Sequence, residues 1–388
     1  MTAMPDIRHL GGAVVRTAQV AADHPDPARA LAALLGDAPL ELLILHASPE
    51  ADFATLMSRA RQVFPARHVI GCTTAGEIGE DGYTEREIIA IGFDRRHFAS
   101  DSLVIETLDE IEPTALIDRM VRRRAALADR APEMTHEFAY LMVDGLSVKE
   151  DALTSAMSIG LGPAPLFGGS AGDGIRFAQT FVGHAGRSLS NAAVLTFVRT
   201  DCPVRVFSLD HLVPTETRMV VTEAEPDKRI VRGINAAPAA REYARILGKD
   251  PQQLSAFTFA AHPLVVKVGG THHVRAIQQV APNGDLVFFS AIDEGLVLRL
   301  AEPQHMSDHL SGALADLARQ GQPELILACD CILRRLEAEQ KQLTRQVSET
   351  LSRHRVRGFS TYGEQMNTLH VNQTMTGVAI YPPEPSAQ

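Results

Sequence analysis

A glycine-centred segment that occurs twice constrains the fold more than any other feature of this sequence. GCTTAGEI, residues 71 to 78, returns near the other end of the chain as GFSTYGEQ, residues 358 to 365. Both copies follow the pattern Gly, any residue, Ser or Thr, Thr, any residue, Gly, Glu. Agreement over so long a pattern indicates an internal duplication, and the segments around the two copies should then correspond as well.

The flanking segments do correspond. PLELLILHA (39 to 47) precedes the first copy, and QPELILACD (322 to 330) precedes the second at a similar distance. A short apolar run rich in β-branched residues follows each copy, at residues 87 to 93 and 375 to 381. Such runs are typical of buried strands, and the roughly 30 residues between the first strand and the glycine loop accommodate one crossover helix. Each unit is therefore predicted to contain a strand, a helix, the glycine loop and a closing strand.

A third, weaker copy is predicted between these two, with EFAYLMVDG (137 to 145), LFGGSAGDG (166 to 174) and NAAVLTFV (191 to 198). It lacks the Thr-Thr pair and the Glu. In the last unit the crossover helix is visible in the sequence, because apolar residues recur at multiples of three or four positions over residues 332 to 353. We predict an α/β fold (mixed α+β) in which duplicated strand-helix-glycine loop-strand units form mixed sheets flanked by helices.

Composition is that of an ordinary globular chain and excludes several classes of function. The chain is 45% hydrophobic and 22% charged, as is usual for a globular protein. Its length of 388 residues favours two domains. We place their boundary in the polar stretch of residues 215 to 228, as a linker or an edge strand, giving domains 1–222 and 223–388. A formal net charge of -10 argues against nucleic acid as a partner. The sequence lacks apolar runs of signal-peptide or membrane-spanning length, so we expect a cytoplasmic protein with no membrane partner.

Three segments carry a resemblance to a known family: VIGCTTAGEIGEDGY (69 to 83), FGGSAGDG (167 to 174) and GFSTYGEQMNTLHVNQTMTGVAIY (358 to 381). They resemble the FIST family of intracellular sensory proteins, with a FIST amino-terminal domain to about residue 220 and a FIST carboxy-terminal domain after it. Stand-alone chains of this layout are similar to haem-binding nitric oxide sensors, which regulate histidine kinases or cyclic-di-GMP enzymes. The resemblance implies a sensor rather than an enzyme, with haem (heme) as cofactor and a signalling protein as partner.

Polar side chains crowd the glycine loops, as expected of a pocket that binds a small molecule through several convergent groups. The candidate ligand-binding residues are Thr73, Glu77, Asp173, Arg176, Thr361, Glu364 and Asn372. Asp173 and Arg176 would suit the charged ends of an amino-acid-like ligand, since Arg contacts carboxylates in a bidentate manner. The alternative is that these loops are turns, which satisfy their own backbone through side-chain hydrogen bonds.

A haem iron that senses a gas needs an axial donor inside an apolar pocket, and a neutral imidazole is a common one. We take His370 as the first candidate for the metal ligand, because apolar residues flank it in the segment that most resembles the family. The predicted cofactor contacts are His370, Tyr362 and Met375, and the next candidate ligands are His262, His272 and His273. The alternative for His370 is a hydrogen-bonded core residue.

Two hypotheses of function therefore stay open. The first is a haem-based nitric oxide sensor that regulates a partner histidine kinase or cyclic-di-GMP enzyme. The second is a haem-free sensory module that binds a small metabolite such as an amino acid. A visible absorption spectrum separates them, because the second protein is colourless. The sequence leaves open whether the chain forms a homodimer.

Overall fold

The computed structural model describes residues 13 to 268 and 270 to 383. Residues 1 to 12, on which the signal-peptide prediction partly depends, and residues 384 to 388 lie outside that range. The helices are α1 (Pro27–Leu35), α2 (Phe53–Val63), α3 (Pro113–Arg130), α4 (Glu150–Met157), α5 (Ala239–Leu247), α6 (Ala256–Ala261), α7 (Met306–Leu317), α8 (Ile332–Gln340) and α9 (Thr344–Arg353).

Strands are more numerous than helices in the described part of the chain, in agreement with the many short apolar runs. Those of the first half are β1 (Val15–Ala21), β2 (Leu40–Ala47), β3 (Ala66–Thr73), β4 (Glu77–Gly79), β5 (Gly82–Thr84), β6 (Glu87–Asp94), β7 (Phe98–Glu106), β8 (His136–Val143), β9 (Leu166–Ser170), β10 (Val182–His184), β11 (Arg187–Leu189) and β12 (Ala192–Thr200). Those of the second half are β13 (Val204–Leu209), β14 (Leu212–Glu225), β15 (Ile230–Ile234), β16 (Ala237–Pro238), β17 (Leu264–Val268), β18 (Thr271–Val274), β19 (Ile277–Val280), β20 (Leu286–Phe288), β21 (Val297–Pro303), β22 (Leu325–Cys331), β23 (Val356–Thr361), β24 (Glu364–Met366), β25 (Leu369–Val371) and β26 (Met375–Ile380).

Short capping signals set where the first helices begin. The Asp26 side chain accepts a hydrogen bond from the backbone N–H of Arg29, and α1 then begins at a proline, which already has a helical φ. In the same way, the Asp52 side chain accepts from the backbone N–H of Thr55 at 3.0 Å. These two caps fix the helices that cover one face of the first sheet.

Three units of one topology make up the main body. The first unit runs β1, α1, β2, α2, β3, the β4–β5 hairpin and β6, and the second runs β7, α3, β8, α4, β9, the β10–β11 hairpin and β12. The third unit contains β13, α7, β22, α8, α9, β23, the β24–β25 hairpin and β26. Each forms a sheet with the same order, as in β1-β6-β2-β3, and its two central strands are parallel. The predicted duplication is confirmed, and the weak middle copy is a complete unit.

Each of these three sheets is completed by a hairpin from another unit. Strand β4 of the first unit pairs with β23 of the third, β10 of the second pairs with β3 of the first, and β24 of the third pairs with β9 of the second. The exchange runs in a circle, so no sheet of the main body is made by one unit alone. The glycine loops, which immediately precede these hairpins, are thereby brought together at the centre.

The inner faces of the three sheets share one core, and helices cover the outer faces. Because the central strands are buried on both faces, their sequences are continuous apolar runs such as LELLILHA. Core residues from all three sheets include Ile44, Ile70, Phe138, Phe167, Leu327 and Phe359. Separate apolar clusters hold α1 and α2 on the first sheet, α3 and α4 on the second, and α7 to α9 on the third.

A further sheet is inserted into the third unit between β13 and α7. It contains β14 to β21, with α5 and α6 beside it. Residues 215 to 228, where we predicted a linker or an edge strand, lie mostly in β14, which stands between β21 and β15. That prediction is wrong, because β14 is an internal strand of the inserted sheet. The stretch is polar because half of the side chains of β14 are exposed, and only Met219 and Val221 are fully buried. In the described part of the chain, every helix falls short of the length and apolar character needed to cross a membrane.

The crossover helix predicted over residues 332 to 353 is in fact two helices. It breaks between α8 and α9, where Gln342 has a left-handed backbone with φ of 57°. The apolar positions stay buried on both sides of the break: Ile332, Leu336, Val347 and Leu351. Since each half keeps the helical period, the sequence pattern does not reveal the interruption.

Candidate functional site

The two copies of the glycine loop have the same internal structure. In the first copy the Thr74 hydroxyl donates a hydrogen bond to Oε1 of Glu77, and in the second the Thr361 hydroxyl donates to Oε1 of Glu364. The predicted site residue Thr73 lies one position earlier, and its hydroxyl accepts from the backbone N–H of Phe181 at 3.0 Å. The shared Thr-x-x-Glu positions are thus explained by a contact within the loop, as the turn alternative proposed.

The second carboxylate oxygen of each Glu reaches the start of the closing strand. Glu77 Oε2 accepts from the backbone N–H of Glu87 at 3.2 Å, and Glu364 Oε2 accepts from that of Thr374 at 3.2 Å. Burial raises the pKa of Glu77 to about 7 and that of Glu364 to about 8, although these hydrogen bonds act in the opposite direction. Both carboxyl groups therefore stay protonated up to a pH well above the usual pKa range of a carboxyl group.

In the second unit a different carboxylate has this role. Asp144, at the end of β8, accepts hydrogen bonds from the Thr180 hydroxyl and from the backbone N–H of Asn191. It is buried, and it ties the long loop before β10 to the start of β12. The sequence comparison missed Asp144 because it precedes the glycine loop, whereas the Glu of the other copies follows it.

The three loops meet around the centre of the molecule, where backbone hydrogen bonds link each loop to the next. This places the two predicted clusters of polar residues beside each other. The linking bonds run from Ala75 N to Ser360 O (2.9 Å), from Gly172 N to Thr73 O (3.0 Å) and from Tyr362 N to Ser170 O (3.2 Å).

Asp173 organises its own loop. Its carboxylate accepts from the backbone N–H groups of residues 177 to 179, each at 2.8 Å, and from the Tyr362 hydroxyl. Arg176, in contrast, extends into solvent and is 3.7 Å from Glu50. Of this predicted pair, Arg176 is therefore the residue with exposed N–H donors, and Asp173 shapes the loop that carries it.

His370 is buried beside the inserted sheet. Its Nε2 lies 3.3 Å from the carbonyl oxygen of Phe289, and its Nδ1 lies 3.4 Å from Nε2 of Gln365. The cavity that His370 lines measures about 90 Å³ and is bounded by charged residues, among them Asp151 and Arg275. Both the charged walls and the small volume of this cavity are unsuitable for haem, so the group does not fit at His370 in this structure.

The other predicted contacts of the haem are distributed over different parts of the core. The Tyr362 ring packs with apolar side chains of α8, and Met375 lies in the apolar cluster beneath α7. The predicted ligand-binding residue Asn372 is also buried, with Nδ2 3.4 Å from the Tyr362 carbonyl oxygen. The structure therefore places Tyr362, Met375 and His370 around no common cavity among the described residues.

The next candidate histidines are more accessible. His262 ends α6 and is half-buried, and its carbonyl oxygen accepts from the Tyr243 hydroxyl at 2.6 Å. His272 is exposed and His273 is half-buried, both on β18. They line a groove of about 260 Å³ whose other walls are mostly apolar, including Met366 and Leu369.

A larger cleft lies where all three units meet the inserted sheet. It measures about 310 Å³ and is formed by the first glycine loop, the Asp173 loop, α8 and α6. We call it the central cleft. Its charged residues are Glu50, Glu77, Glu85, Arg86, Asp173, Arg176, Arg335 and Glu339, and its apolar ones include Ile175, Phe257, Ile332 and Leu336.

At one end of the central cleft two guanidinium groups share one carboxylate. Glu50 is 2.7 Å from Arg86 and 3.7 Å from Arg176 through different carboxylate oxygens. Each guanidinium has five N–H donors, so this arrangement leaves donors on both side chains for a further anion. Arg86 and Arg176 are mostly exposed, which gives such an anion access.

Elsewhere in the central cleft the ratio is reversed, because two carboxylates share the guanidinium of Arg335. Arg335 Nη2 is 3.0 Å from Glu85 and Nε is 3.4 Å from Glu339. Arg335 is 6% exposed and lies against Gly76, where an added Cβ would stand 2.1 Å from Nη1. The glycine of the repeated loop, with φ of 128°, therefore makes room for this arginine. The exposed carboxylates keep acceptor oxygens for a cation.

Comparison with known protein families identifies both halves of the chain. The model of the FIST N domain matches residues 41 to 237, and the model of the FIST C domain matches residues 239 to 367. A comparison with curated proteins gives no match. The border between the two matched regions lies inside the inserted sheet, just before α5, so that β13 of the third unit falls in the first region. The chain belongs to the FIST family, whose domains are ligand-binding sensory domains of signal transduction.

Proposed function

We propose that the signal sensed by this chain is a small zwitterion of the amino-acid type, bound in the central cleft. The observation that supports the proposal is that one cleft carries spare groups of both charges. Arg86 and Arg176 keep spare N–H donors, and Glu85 and Glu339 keep spare carboxylate oxygens. A molecule with a carboxylate and an ammonium group complements both sets at once.

The size and walls of the cleft agree with such a ligand. A volume of about 310 Å³ is at the lower end of the range for small-molecule sites. Phe257 on α6 and Leu336 on α8 provide apolar surface for the ligand's side chain. Guanidinium groups bind a carboxylate through charge-assisted hydrogen bonds, which are stronger than neutral ones.

Binding at this position would also affect how the three units and the insertion are held together. The central cleft is bounded by loops of the first and second units, by a helix of the third and by α6 of the insertion. A ligand that contacts all four favours the arrangement in which they are close, and this difference in stability is what a partner protein reads. Within this proposal the partner is a histidine kinase or a cyclic-di-GMP enzyme, and the chain itself catalyses no reaction.

Arg176→Ala is expected to weaken binding of the amino-acid ligand by about 10- to 100-fold, since a hydrogen bond to a charged group contributes about 1.5 to 3 kcal/mol. The ligand is found first, by measuring the melting temperature of the purified chain with each of the twenty common amino acids. Its affinity for the wild type and the variant is then measured by calorimetry. Arg345→Ala is the matched control, because Arg345 is an exposed arginine with one carboxylate partner far from the cleft.

Glu85→Gln is the complementary variant, since it removes a carboxylate that would accept from the ammonium group of the ligand. A ligand that needs both its charged groups should lose affinity in Arg176→Ala and in Glu85→Gln, and a molecule that is only an anion should be insensitive to the second change. The proposal is wrong if no amino acid raises the melting temperature of the wild type, or if the control loses as much affinity as Arg176→Ala.

Haem-based nitric oxide sensing is the second candidate, and the groove beside β18 is the observation that favours it. There the exposed imidazole of His272 stands among apolar side chains, which is the kind of donor and environment that a haem iron uses. Bound haem would supply the iron that takes up the gas. The protein's own part is to hold the macrocycle against β18 and β25 and to offer one imidazole nitrogen.

The haem hypothesis predicts a Soret band when the purified chain is titrated with haem, and a shift of that band with nitric oxide. His272→Ala should lower haem affinity at least about tenfold, whereas His370→Ala should leave the spectrum unchanged, because His370 has no room for the group. Melting temperatures of both variants separate ligand loss from unfolding. A band that survives His272→Ala and disappears in a well-folded His370→Ala protein would return the axial role to His370.

A further inference from the structure

The end of the main body away from the glycine loops brings three metal-binding residue types together. His97 lies in the turn between β6 and β7, and Asp201 and Cys202 lie in the turn between β12 and β13. One donor atom from each of the three lies within 4.8 Å of the other two. These turns are the connections from the first unit to the second and from the second to the third.

Strand register holds the two turns side by side. Phe98 is paired with Thr200 at the end of the β7–β12 ladder, so the residues just beyond this pair, His97 and Asp201, face each other. Backbone bonds fix the turns themselves, with the N–H of His97 donating to the Asp94 carbonyl at 3.1 Å. The N–H of Cys202 donates to the hydroxyl of Thr200 at 3.0 Å. The donor atoms are therefore positioned by rigid elements rather than by flexible loops.

The distances resemble those between ligands that share one ion. Nδ1 of His97 is 3.1 Å from both carboxylate oxygens of Asp201, and Sγ of Cys202 is 3.5 Å from Oδ1 of the same residue. Tetrahedral zinc with bonds of about 2.0 to 2.3 Å places its donor atoms about 3.3 to 3.8 Å apart. Imidazole nitrogen, carboxylate oxygen and thiolate sulfur are all zinc ligands, and three protein ligands with water in the fourth position is the arrangement of catalytic zinc sites.

The burial of the three groups suits an ion that enters from one side. Cys202 is buried, whereas His97 is 24% exposed and Asp201 is 39% exposed. Burial raises the pKa of the Cys202 thiol to about 12, and the nearby carboxylates of Asp201 and Glu324 act in the same direction. A cation offsets this cost, because it binds the sulfur as thiolate while the thiol proton is released to solvent.

We propose that His97 Nδ1, the Asp201 carboxylate and the Cys202 thiolate bind one divalent transition-metal ion of the zinc type. The ion joins the connection between the first and second units to the connection between the second and third. It lies at the opposite end of the sheets from the central cleft, because β6 pairs with β2 such that Asp94 stands opposite Leu40. The site is thus separate from the ligand site, and it stabilises the three-unit assembly.

Cobalt(II) is the probe for this site, because a thiolate ligand gives it a charge-transfer absorption that nitrogen and oxygen ligands do not. The full chain is stripped with a chelator and titrated with Co²⁺, and the expected result is a charge-transfer band that saturates at one ion per chain. Zn²⁺ should displace the cobalt and raise the melting temperature. Cys202→Ser should abolish the band, and His97→Ala should weaken Zn²⁺ binding about tenfold or more.

His305→Ala is the matched control. His305 and Asp308 form an exposed His–Asp pair at 3.2 Å without a thiol in contact, and loss of this pair should leave the cobalt spectrum unchanged. The proposal is overturned if the wild type gives no charge-transfer band, or if the band persists in Cys202→Ser and therefore arises from another cysteine. Zinc affinity that is equal in the wild type and in a folded His97→Ala protein overturns it as well.

Discussion

Asp330→Ala is expected to lower the free energy of unfolding by about 3 to 5 kcal/mol, because it leaves a buried guanidinium without its carboxylate. Nε of Arg334 donates to Oδ1 of Asp330 at 2.7 Å, and the two side chains are 1% and 0% exposed. The other carboxylate oxygen of Asp330 accepts from the Tyr83 hydroxyl. Tyr83 belongs to the β4–β5 hairpin of the first unit, which completes the sheet of the third. One substitution thus removes a partner from a buried cation and from a contact between units.

The same arginine continues into a buried chain of hydrogen bonds. Arg334 Nη1 donates to Nδ1 of His211 at 2.8 Å, so the ring proton of His211 is on Nε2 and is donated to Glu337 at 2.9 Å. Lys341 completes the chain at 2.7 Å from Glu337. Because Arg334 connects these groups to Asp330, the cost of the substitution is not that of a single ion pair.

Unfolding in urea, followed by far-ultraviolet circular dichroism, measures this effect. The double variant Asp330→Ala/Arg334→Met should recover at least about 1 kcal/mol of the loss, since no unpaired charge is then buried. Glu349→Ala is the control, because it breaks an exposed Arg–Glu pair with the same separation in sequence and should cost about 0.5 kcal/mol or less. A double variant less stable than Asp330→Ala would show that the arginine is not the source of the cost.

Glu364→Gln is expected to make the chain more stable than the wild type at pH 8.5 and equally stable near pH 5. Burial raises the pKa of Glu364 from its ordinary 4.5 to about 8. The folded state therefore binds the proton more tightly than the unfolded chain does. The resulting stability is complete below pH 4.5 and is lost progressively as the pH rises from there through about 8, by about 5 kcal/mol in total. Glutamine has no proton to lose, and its unfolding free energy should lack this slope.

Urea unfolding of both proteins at half-unit steps from pH 5 to pH 9 gives the two profiles, and their difference isolates the contribution of Glu364. Glu77→Gln is the matched comparison, because the equivalent carboxyl has its pKa raised to about 7. Its difference curve should be smaller and should level off about one pH unit lower. Parallel profiles for wild type and Glu364→Gln would mean that Glu364 is ionised in the folded protein.

The repeated units were predictable, whereas the exchange between them was not. Repetition shows in the sequence because the Thr74–Glu77 and Thr361–Glu364 contacts are local, and a local contact requires a fixed spacing of residue types. The exchanged strands are short, such as Glu77–Gly79, and three residues show no period. The strands with which they pair are far away in the sequence, so the choice of partner depends on tertiary packing, which a local sequence pattern does not show.

The central cleft was predicted only in part for a similar reason. Arg176 was recognised from its glycine-rich loop, but Arg335 is on the face of α8 that the helical pattern marks as charged and solvated. It is buried because the glycine loop and the β4–β5 hairpin of the first unit pack against it, with Nη1 donating to the Thr84 carbonyl oxygen at 3.0 Å. The spacing of apolar residues is the same in a helix that is covered on one side and in a helix whose charged side is also covered by another part of the chain, so the pattern does not separate the two cases. The surroundings of His370 could likewise not be predicted, since the carbonyl oxygen that lies 3.3 Å from its Nε2 belongs to Phe289 of the insertion.

The circular exchange of hairpins gives this chain the construction of a trimer whose subunits have been fused. Three identical copies of one unit could close the same circle by exchanging hairpins. One copy alone would expose an unpaired sheet edge and a hairpin without a sheet to pair with. Fusion allows each copy to diverge without losing its place in the ring. The second copy has exchanged its Glu for Asp144, and the third has accepted an insertion whose Phe289 packs on Tyr362 of its glycine loop. The three junctions between the units are therefore no longer equivalent, because the insertion packs on only one of the glycine loops described here.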